Sequence, residues 1–192
     1  MVIMNRSSFL QRFVHASLQH LPQITEHKGN RKAAVLIPLV ERENGLNVIF
    51  TERALHLRHH PGQVSFPGGK HEKSDDSLQQ TALRETAEEI GIQSNLVEIV
   101  GQLPTLNTTS GFEVSPFIAF VDNKFNLTID FQEVKSVFEV PLSFLLDEKN
   151  FHRQHLIANK RRHFTYCIAY QNHLIWGATA QMTKNLQQMI NQ

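Results

Sequence analysis

The sequence contains a single cysteine among its 192 residues, which excludes disulfide bonds within the chain. Cys167 lies in the apolar run at residues 166–170, which favours a buried structural thiol over a catalytic nucleophile. The chain also lacks an apolar run of about 20 residues, the length needed to cross a bilayer. Residues 1–21 lack the charged-then-apolar pattern of a signal peptide. These absences predict a soluble cytoplasmic protein with no membrane partner.

The sequence has no excess of either charge. Nineteen Lys and Arg residues oppose 18 Asp and Glu residues, which gives a net charge of +1 with His neutral. This balance lacks the polyelectrolyte bias of nucleic-acid-binding proteins. The one basic run, at residues 160–163, favours a solvated turn over a nucleic-acid contact. With 41% hydrophobic residues, the chain is long enough for one well-buried domain.

An acidic cluster lies at the end of a predicted helix. Glu85, Glu88 and Glu89 stand at i, i+3 and i+4, so they share one helix face. Arg84 is the only basic residue in the segment 84–92, and Gly91 follows as a helix stop. The last turn of a helix already carries negative partial charge, so the macrodipole and mutual repulsion both oppose this placement. The cluster is unfavourable unless it is solvated or binds a cation.

Two interpretations of the cluster follow. Exposed like charges on a helix cost only about 0.2–0.5 kcal/mol per pair, so a solvated acidic face is the first. The helix also has an apolar stripe, which consists of Leu78, Ala82, Leu83, Ala87 and Ile90. Glu89 falls at the border of this stripe, which predicts partial burial. A partly buried carboxylate among like charges takes up a proton or acquires a counter-ion, and oxygen ligands suit Mg²⁺ or Mn²⁺.

A glycine loop precedes this helix. Gly68 and Gly69 follow a short apolar stretch, and paired glycines let backbone N–H groups approach an anion closely. Two adjacent glycines also occur in ordinary turns, so the pair alone is weak evidence. Asp75 or Asp76 is the predicted N-cap of the helix. The order of strand, glycine loop and helix predicts a loop that admits phosphate beside the acidic cluster.

Together the loop and helix resemble the signature of the Nudix hydrolase family. The second half of that signature matches in full, at Arg84, Glu85, Glu88, Glu89, Gly91 and Ile92. The first half departs from the pattern. Counting forward from Gly69 places the family's first acid at Asp75, whereas counting back from Arg84 places it at Asp76. The register of this acid is therefore ambiguous.

A second motif lies upstream and resembles that of the coenzyme A pyrophosphatase branch of the family. Its matching residues are Thr51, Glu52, Arg53, Ala54, Arg58, Gly62, Phe66, Pro67, Gly68 and Gly69. The branch motif begins with two aliphatic residues, where this chain has Ile49 and Phe50. Segments 103–106, 111–112, 138–142 and 175–179 also resemble the branch, so the resemblance covers roughly residues 31–180.

The resemblance implies a fold and an activity. The fold is α+β, a Nudix-type α/β/α sandwich with a mixed β-sheet, in a domain of residues 31–192. Apart from the resemblance, residues 1–30 are expected to form a helix and a linker that pack on this domain. The implied reaction is metal-dependent hydrolysis of the diphosphate of coenzyme A or a derivative, giving 3′,5′-ADP and 4′-phosphopantetheine. The alternatives are another nucleoside-diphosphate-linked substrate, such as ADP-ribose or a dinucleotide, and a catalytically silent module that binds a nucleotide.

The resemblance also assigns roles to particular residues. Glu85, Glu88 and Glu89 are the expected ligands of Mg²⁺ or Mn²⁺, with Glu85 alternatively acting as base, and Arg84 orients one carboxylate. Glu133 is a candidate general base, with an exposed loop acid as the alternative; Glu139 stays unassigned. The expected substrate-binding residues are Arg53, Arg58, Gly68, Gly69 and Lys70. His56, His59, His60 and His71 lack the spacing of a zinc site.

Apolar periodicity predicts the remaining elements. A leading amphipathic helix is expected between Ser8 and Pro22, packed on the core, with a homodimer contact or a membrane-surface role as alternatives, and a polar linker follows at residues 23–32. Strands are predicted at residues 33–40, 47–52, 97–103, 114–121, 136–140, 164–170 and 174–176. A hairpin turn at residues 43–45, which include an Asn-Gly pair, joins the first two strands. A closing helix spans residues 179–190.

Overall fold

The computed structural model describes residues 4–19, 31–158 and 161–192. Its helices are α1 (Arg6–Gln19), α2 (Leu78–Ile90), α3 (Leu142–Leu146) and α4 (Gly177–Ile190). The strands are β1 (Arg31–Arg42), β2 (Gly45–Arg53), β3 (Val64–Ser65), β4 (Gly68–Lys70), β5 (Val97–Gln102), β6 (Leu106–Asn107), β7 (Phe112–Val121), β8 (Val134–Pro141), β9 (His152–Ala158), β10 (Arg161–Tyr170) and β11 (His173–Trp176).

The strands form two sheets. The larger has the order β3-β2-β1-β7-β5, with β4 paired to β1, β6 to β7 and β8 to β2. Strands β1 and β7 run parallel, whereas the other pairs of this sheet are antiparallel. The smaller antiparallel sheet has the order β11-β10-β9. The predicted α+β fold with a mixed sheet is therefore confirmed.

Side chains that alternate along β1 separate the two layers of core. Ile37 and Leu39 face the cluster that includes Phe9 and Phe13 of α1 and Leu186 of α4. On the opposite face, Leu36 and Ala34 pack with Ala82 of α2, and Val40 packs with Ile90. Each fully buried Leu, Ile or Phe contributes about 1.5–3 kcal/mol relative to an exposed position. Burial on both faces explains why β1 is apolar almost throughout rather than alternating.

Most of the predicted helices and strands are longer in the structure than in the sequence prediction. The hairpin predicted at residues 43–45 is confirmed: Arg42 of β1 lies opposite Gly45 of β2, so Glu43 and Asn44 form the two-residue turn. The leading helix begins at Arg6, earlier than predicted, and β1 begins at Arg31, within the predicted linker. The rest of that linker and the side chains of the basic run at 160–163 lie outside the described residues. No helix of the described residues is long and apolar enough to span a membrane.

Several short elements were not predicted: β4, β6, β9 and α3. Strand β4 has the sequence Gly-Gly-Lys, which has little intrinsic β-propensity. It exists because Gly68 and Gly69 pair with Val35 and Ala34 of β1. This tertiary pairing joins the glycine loop to the centre of the sheet.

Candidate active site

Helix α2 positions the acidic cluster through its two ends. The N-cap is Ser77, whose Oγ accepts a hydrogen bond from the Gln80 amide at 3.1 Å. The prediction of Asp75 or Asp76 as N-cap was therefore wrong, because a serine nearer the helix was available for the same role. At the other end Gly91 adopts φ 80°, the left-handed conformation that ends a helix. The predicted helix stop is confirmed.

Arg84 links Asp75, which precedes α2, to Glu85 and Glu88 within α2. Its Nε and Nη2 donate to Asp75 at 2.8 and 3.0 Å, and Nη2 also donates to the Lys70 carbonyl at 3.2 Å. Its Nη1 lies 3.1 Å from Glu85 and 2.9 Å from Glu88. The Asp75 side chain is only 2% exposed. The Arg84 guanidinium therefore links a buried carboxylate to two of the predicted metal ligands.

Of the two acids between which the signature spacing was ambiguous, Asp75 is the one that contacts Arg84. Besides Arg84, its Oδ2 accepts from the Glu72 amide at 3.0 Å and from the Thr81 hydroxyl at 2.9 Å. The hydrogen bonds from Arg84 hold the pKa of Asp75 well below its ordinary value despite burial. Asp76 is exposed, and its amide donates to the Gln80 side chain.

The glycine loop packs directly on the acidic cluster. The Gly68 amide donates to Glu89 Oε2 at 3.2 Å. A Cβ atom on Gly69 would overlap the carboxyl group of Glu85. The absence of a side chain at residue 69 is thus what leaves room for that carboxylate. The structure brings Gly68, Gly69, Glu85 and Glu89 together, as predicted from the sequence pattern.

Glu89 is more deeply buried than the predicted position at the border of the stripe. Only 3% of the residue is exposed. Burial raises the pKa of Glu89 to about 8, and the charges of Glu85 and Glu133 add to the rise, while the Gly68 amide and Arg53 oppose it. Burial also raises the pKa of Glu85, against the opposing charge of Arg84. The local counter-charges therefore do not compensate these carboxylates.

Glu88 differs from the other two acids. Its side chain is 60% exposed and contacts Arg84. Within residues 4–19, 31–158 and 161–192, no three acidic, His or Cys side chains already stand as a metal-binding group. Rotation of the exposed Glu88 towards Glu85 and Glu89 would complete a set of hard oxygen ligands, and the buried, undercompensated carboxylates suit a divalent cation. The residues present therefore fit Mg²⁺ or Mn²⁺.

The raised pKa of Glu89 predicts an unusual pH dependence for the metal-free protein. Unfolded Glu89 ionises near its ordinary value of 4.5, whereas folded Glu89 keeps its proton until about pH 8. The native state binds more protons in this window, so the free energy of unfolding should fall as pH rises through it, on the order of a few kcal/mol. Urea titrations in EDTA from pH 5 to 8 measure this loss.

A Glu89→Gln variant is the control for that experiment. Its stability should fall less over the same pH range, because glutamine has no proton to lose. Adding Mn²⁺ at pH 8 should stabilise the parent protein more than the variant, since the cation compensates the ionised carboxylate. Equal pH slopes in the parent and the variant would contradict the assignment of the raised pKa to Glu89.

The two glycines predict contrasting variants. In Gly69→Ala the new methyl group displaces the flexible Glu85 side chain, so we expect activity to fall by about 10–100-fold with the fold retained. In Gly68→Ala the methyl group meets the Ala34 carbonyl of β1, at a φ of 147°. The backbone has no equivalent freedom to move, so this variant should lose stability. Thermal melting and steady-state kinetics of both variants separate the two effects.

Glu133 lies in a turn tied to the acidic cluster. The Asp130 amide donates to the Glu89 carbonyl at 3.0 Å, and the Glu133 carbonyl accepts from the Ala54 amide at 2.8 Å. The Glu133 side chain is exposed, yet its charge contributes to the raised pKa values of Glu85 and Glu89. The sequence did not single out Asp130, since a short polar loop gives no sign of its tertiary partner.

The predicted substrate-binding cations differ in the exposure of their side chains. Arg53 is half-buried at the end of β2, and its charge reaches Glu89. Arg58 is exposed in the loop at residues 54–63, and the Lys70 side chain is exposed beside the glycine loop. The Lys70 carbonyl accepts from Arg84. Arg53 and Lys70 therefore lie on segments that adjoin the carboxylates, and Arg58 lies in the loop that follows Arg53.

Glu139, which the sequence left unassigned, forms an ion pair outside the cluster. Its carboxylate accepts from Arg42 at 2.6 and 3.1 Å and from the Asn47 side chain at 2.9 Å. Although burial opposes it, hydrogen bonding by Arg42 and Asn47 lowers the pKa of Glu139. Through these contacts Glu139 links β8 to β1 and β2.

Two clefts of the described structure lie beside α1. One, of about 330 Å³, is lined by residues that include Arg6 and Glu98. The other, of about 480 Å³, lies against residues 190–192 at the end of the chain. Neither lining includes a carboxylate of the acidic cluster, so side-chain chemistry rather than cavity volume locates the site.

Comparisons with known proteins show the family to which the chain belongs. A model described as the NUDIX domain matches residues 30–159. Proteins from Yersinia pestis (strain Pestoides F) and Yersinia pseudotuberculosis serotype O:1b (strain IP 31758), each described as an uncharacterized Nudix hydrolase, NudL, are 37% identical over 191 residues. The alignments cover 95% of this chain and 96% of each relative.

Solved structures support the fold. A MutT/nudix family protein from Enterococcus faecalis gives a TM-score of 0.52 at 15% identity, over 97% of this chain and 71% of that one. The Nudix hydrolase RenU from M. smegmatis gives 0.51 at 18% identity, over 62% of this chain and 75% of that one. The chain therefore belongs to the Nudix family and is a hydrolase of the diphosphatase type.

Proposed function

We propose that this enzyme hydrolyses the diphosphate of coenzyme A or a derivative, giving 3′,5′-ADP and 4′-phosphopantetheine, with Mg²⁺ or Mn²⁺. The observation that carries the proposal is the attachment of the loop at residues 54–63, which contains Arg58, to the turn of Glu133. Its first amide, from Ala54, donates to the Glu133 carbonyl, and its far end returns to Arg53 through the Gly62 amide at 3.1 Å. The loop therefore has its two ends fixed to the backbone of Glu133 and of Arg53.

The residues of the site have separate roles in the hydrolysis of a diphosphate. A divalent cation on Glu85, Glu88 and Glu89 would neutralise phosphoryl oxygens and make a bound water more acidic. Arg84 keeps Glu85 and Glu88 oriented. Glu133 is our candidate for the base that takes the proton of the attacking water, because it is exposed and close enough to influence the pKa values of Glu85 and Glu89.

The loop supplies the argument for coenzyme A in particular. Coenzyme A carries a 3′-phosphate beyond its diphosphate, so its recognition calls for cations outside the metal site. Arg53, at the end of β2, is close enough for its charge to act on Glu89, and the exposed Arg58 lies in the loop that follows β2. A guanidinium group binds phosphate through two parallel hydrogen bonds. We assign Arg53 to the diphosphate and Arg58 to the 3′-phosphate.

A substrate panel tests this assignment. The protein is incubated with Mn²⁺ or Mg²⁺ and with coenzyme A, dephospho-coenzyme A, ADP-ribose or NADH, and the products are separated by chromatography. We expect coenzyme A to be preferred. In Arg58→Ala the preference for coenzyme A over dephospho-coenzyme A should fall by about tenfold, the value of one charged hydrogen bond. Arg12→Ala, an exposed cation on α1, is the matched control.

The alternatives predict different results in the same panel. Preference for ADP-ribose or NADH would replace coenzyme A by another nucleoside-diphosphate-linked substrate while leaving the diphosphatase reaction in place. Turnover of none of the four substrates would favour a nucleotide-binding module without activity. The buried carboxylates argue against such a module, because nucleotide binding alone gives no reason to bury Glu89 beside Glu85.

A further inference from the structure

Two large apolar side chains are exposed on segments whose backbone is tied to the active site. Phe131 is 68% exposed and Leu55 is 65% exposed. Each follows a residue whose backbone is tied to the site: Leu55 comes directly after Ala54, and Phe131 directly after Asp130. Single exposed apolar residues are common on proteins. Here the bond between Ala54 and Glu133 joins the two segments, and the Asp130 amide ties one of them to Glu89, so both side chains are placed to contact a ligand of the site.

The turn that carries Phe131 is firmly held. The Asp130 carbonyl accepts from the Glu133 and Val134 amides at 3.0 and 2.8 Å, and its side chain accepts from the Gln132 amide at 2.9 Å. The Asp130 amide itself donates to Glu89. An exposed aromatic side chain on a rigid turn can contact a ligand at little conformational cost.

The segment that carries Leu55 is held in a comparable way. The Leu57 amide donates to the Ala54 carbonyl at 3.3 Å, which forms a turn around Leu55. The Leu55 side chain also lies over Gly62, where a Cβ atom would come within 3.1 Å of it. The bond between Ala54 and Glu133 then joins this turn to the one that carries Phe131.

We propose that Phe131 and Leu55 bind the planar base of the nucleotide half of the substrate, an apolar contact beside the diphosphate site. The proposal rests on the proposed function in taking the substrate to be an adenine nucleotide and in assigning Arg58 to the 3′-phosphate. Aromatic and aliphatic side chains pack against the faces of a base, and such stacking tolerates different bases. Phe131 and Leu55 therefore determine affinity for the nucleotide half, and neither takes part in the chemical step.

The placement of Arg58 favours the base over the acyl or pantetheine half. In 3′-phosphoadenosine compounds the base and the 3′-phosphate are attached to one ribose, so the residues that contact them must be neighbours. Leu55 lies three residues before Arg58 in the same loop. A single loop can therefore contact both groups of one nucleoside.

Inhibition by nucleotide fragments tests the proposal without depending on coenzyme A. The substrate is whichever diphosphate the parent hydrolyses fastest. The measured quantity is the inhibition constant of ribose 5-phosphate divided by that of 5′-AMP, which is large when the base adds to binding. In Phe131→Ala and Leu55→Ala this ratio should fall by about 5-fold or more, with KM raised and kcat nearly unchanged. Phe131→Tyr should keep the parent ratio. Leu174→Ala, an apolar residue 49% exposed on β11, is the control.

The outcomes separate this proposal from the proposed function. Unchanged ratios in both alanine variants would overturn the base contact. So would variants that raise KM for octanoyl-coenzyme A alone, since the surface would then serve the acyl half. If the parent prefers ADP-ribose, the coenzyme A assignment fails while the ratio still tests the base contact. If the parent hydrolyses nothing, calorimetry of 5′-AMP with Mg²⁺ decides, and equal binding by parent and Phe131→Ala overturns the contact.

Discussion

Replacing Glu88 by Gln should reduce kcat by about 10²–10³-fold or more while leaving the fold intact. The expected loss is at least that of one preorganised electrostatic contact to developing charge. Glu88 suits this experiment because its side chain is 60% exposed, so its removal opens no cavity and leaves no buried group unpaired. The lost contact with Arg84 is a helical i, i+4 pair, worth only about 0.3–0.5 kcal/mol. Steady-state kinetics and thermal melting measure the two quantities.

Glu98→Gln is the matched control. The Glu98 side chain is 61% exposed and is paired with Arg6, so it reproduces the exposure and the loss of one ion pair away from the acidic cluster. Its activity should equal that of the parent. Full activity in Glu88→Gln would refute the placement of the metal ligands. Raised metal concentration should partly restore the variant, because weakened coordination lowers the affinity for the cation.

Replacing Asp75 by Asn should lower the free energy of unfolding by about 3–5 kcal/mol, the cost of removing one partner of a buried ion pair. Asp75 accepts both bonds from Arg84, and its loss leaves the guanidinium without its main counter-charge. Activity should also fall by about 10–100-fold, since Arg84 then orients Glu85 and Glu88 less well. Urea denaturation and kinetics measure these effects.

The control and the pH dependence sharpen this experiment. Asp76→Asn changes an exposed neighbour and should alter stability by less than about 0.5 kcal/mol. Because Arg84 lowers the pKa of folded Asp75, its contribution is present above the ordinary pKa of an aspartate and is lost as pH falls below it. Asp75→Asn should therefore flatten the acid limb of the stability profile. Equal effects of the two variants would contradict the role of Asp75.

The features that were predictable from the sequence are local ones. The spacing of Glu85, Glu88 and Glu89 determines that they share a helix face, and Gly91 determines where the helix ends. The Asn-Gly pair and the apolar run at 33–40 predicted the first hairpin. These features depend on residues a few positions apart, so periodicity and turn chemistry are sufficient to predict them.

The wrong or incomplete predictions concern distant partners. The N-cap is Ser77 rather than Asp75 or Asp76, and the Asp75 carboxylate is instead engaged by Arg84. The buried face of α2 includes Thr81 and Thr86, which the apolar stripe did not anticipate, and Glu89 is more deeply buried than its place at the border of the stripe predicted. Thr81 and Thr86 can be buried because their hydroxyls donate to Asp75 and to the Ala82 carbonyl.

The sequence by itself determined the chemistry of this protein: three carboxylates on one helix face, a glycine pair ahead of them and cations upstream. Only the tertiary structure decided how these groups meet. Pairing of β4 with β1 brings Gly69 against Glu85, and the turn at Asp130 brings Glu133 and Ala54 to the site. Helical spacing follows from backbone geometry within a few residues, whereas burial, pKa and the choice of Asp75 over Asp76 depend on contacts between distant segments of the chain.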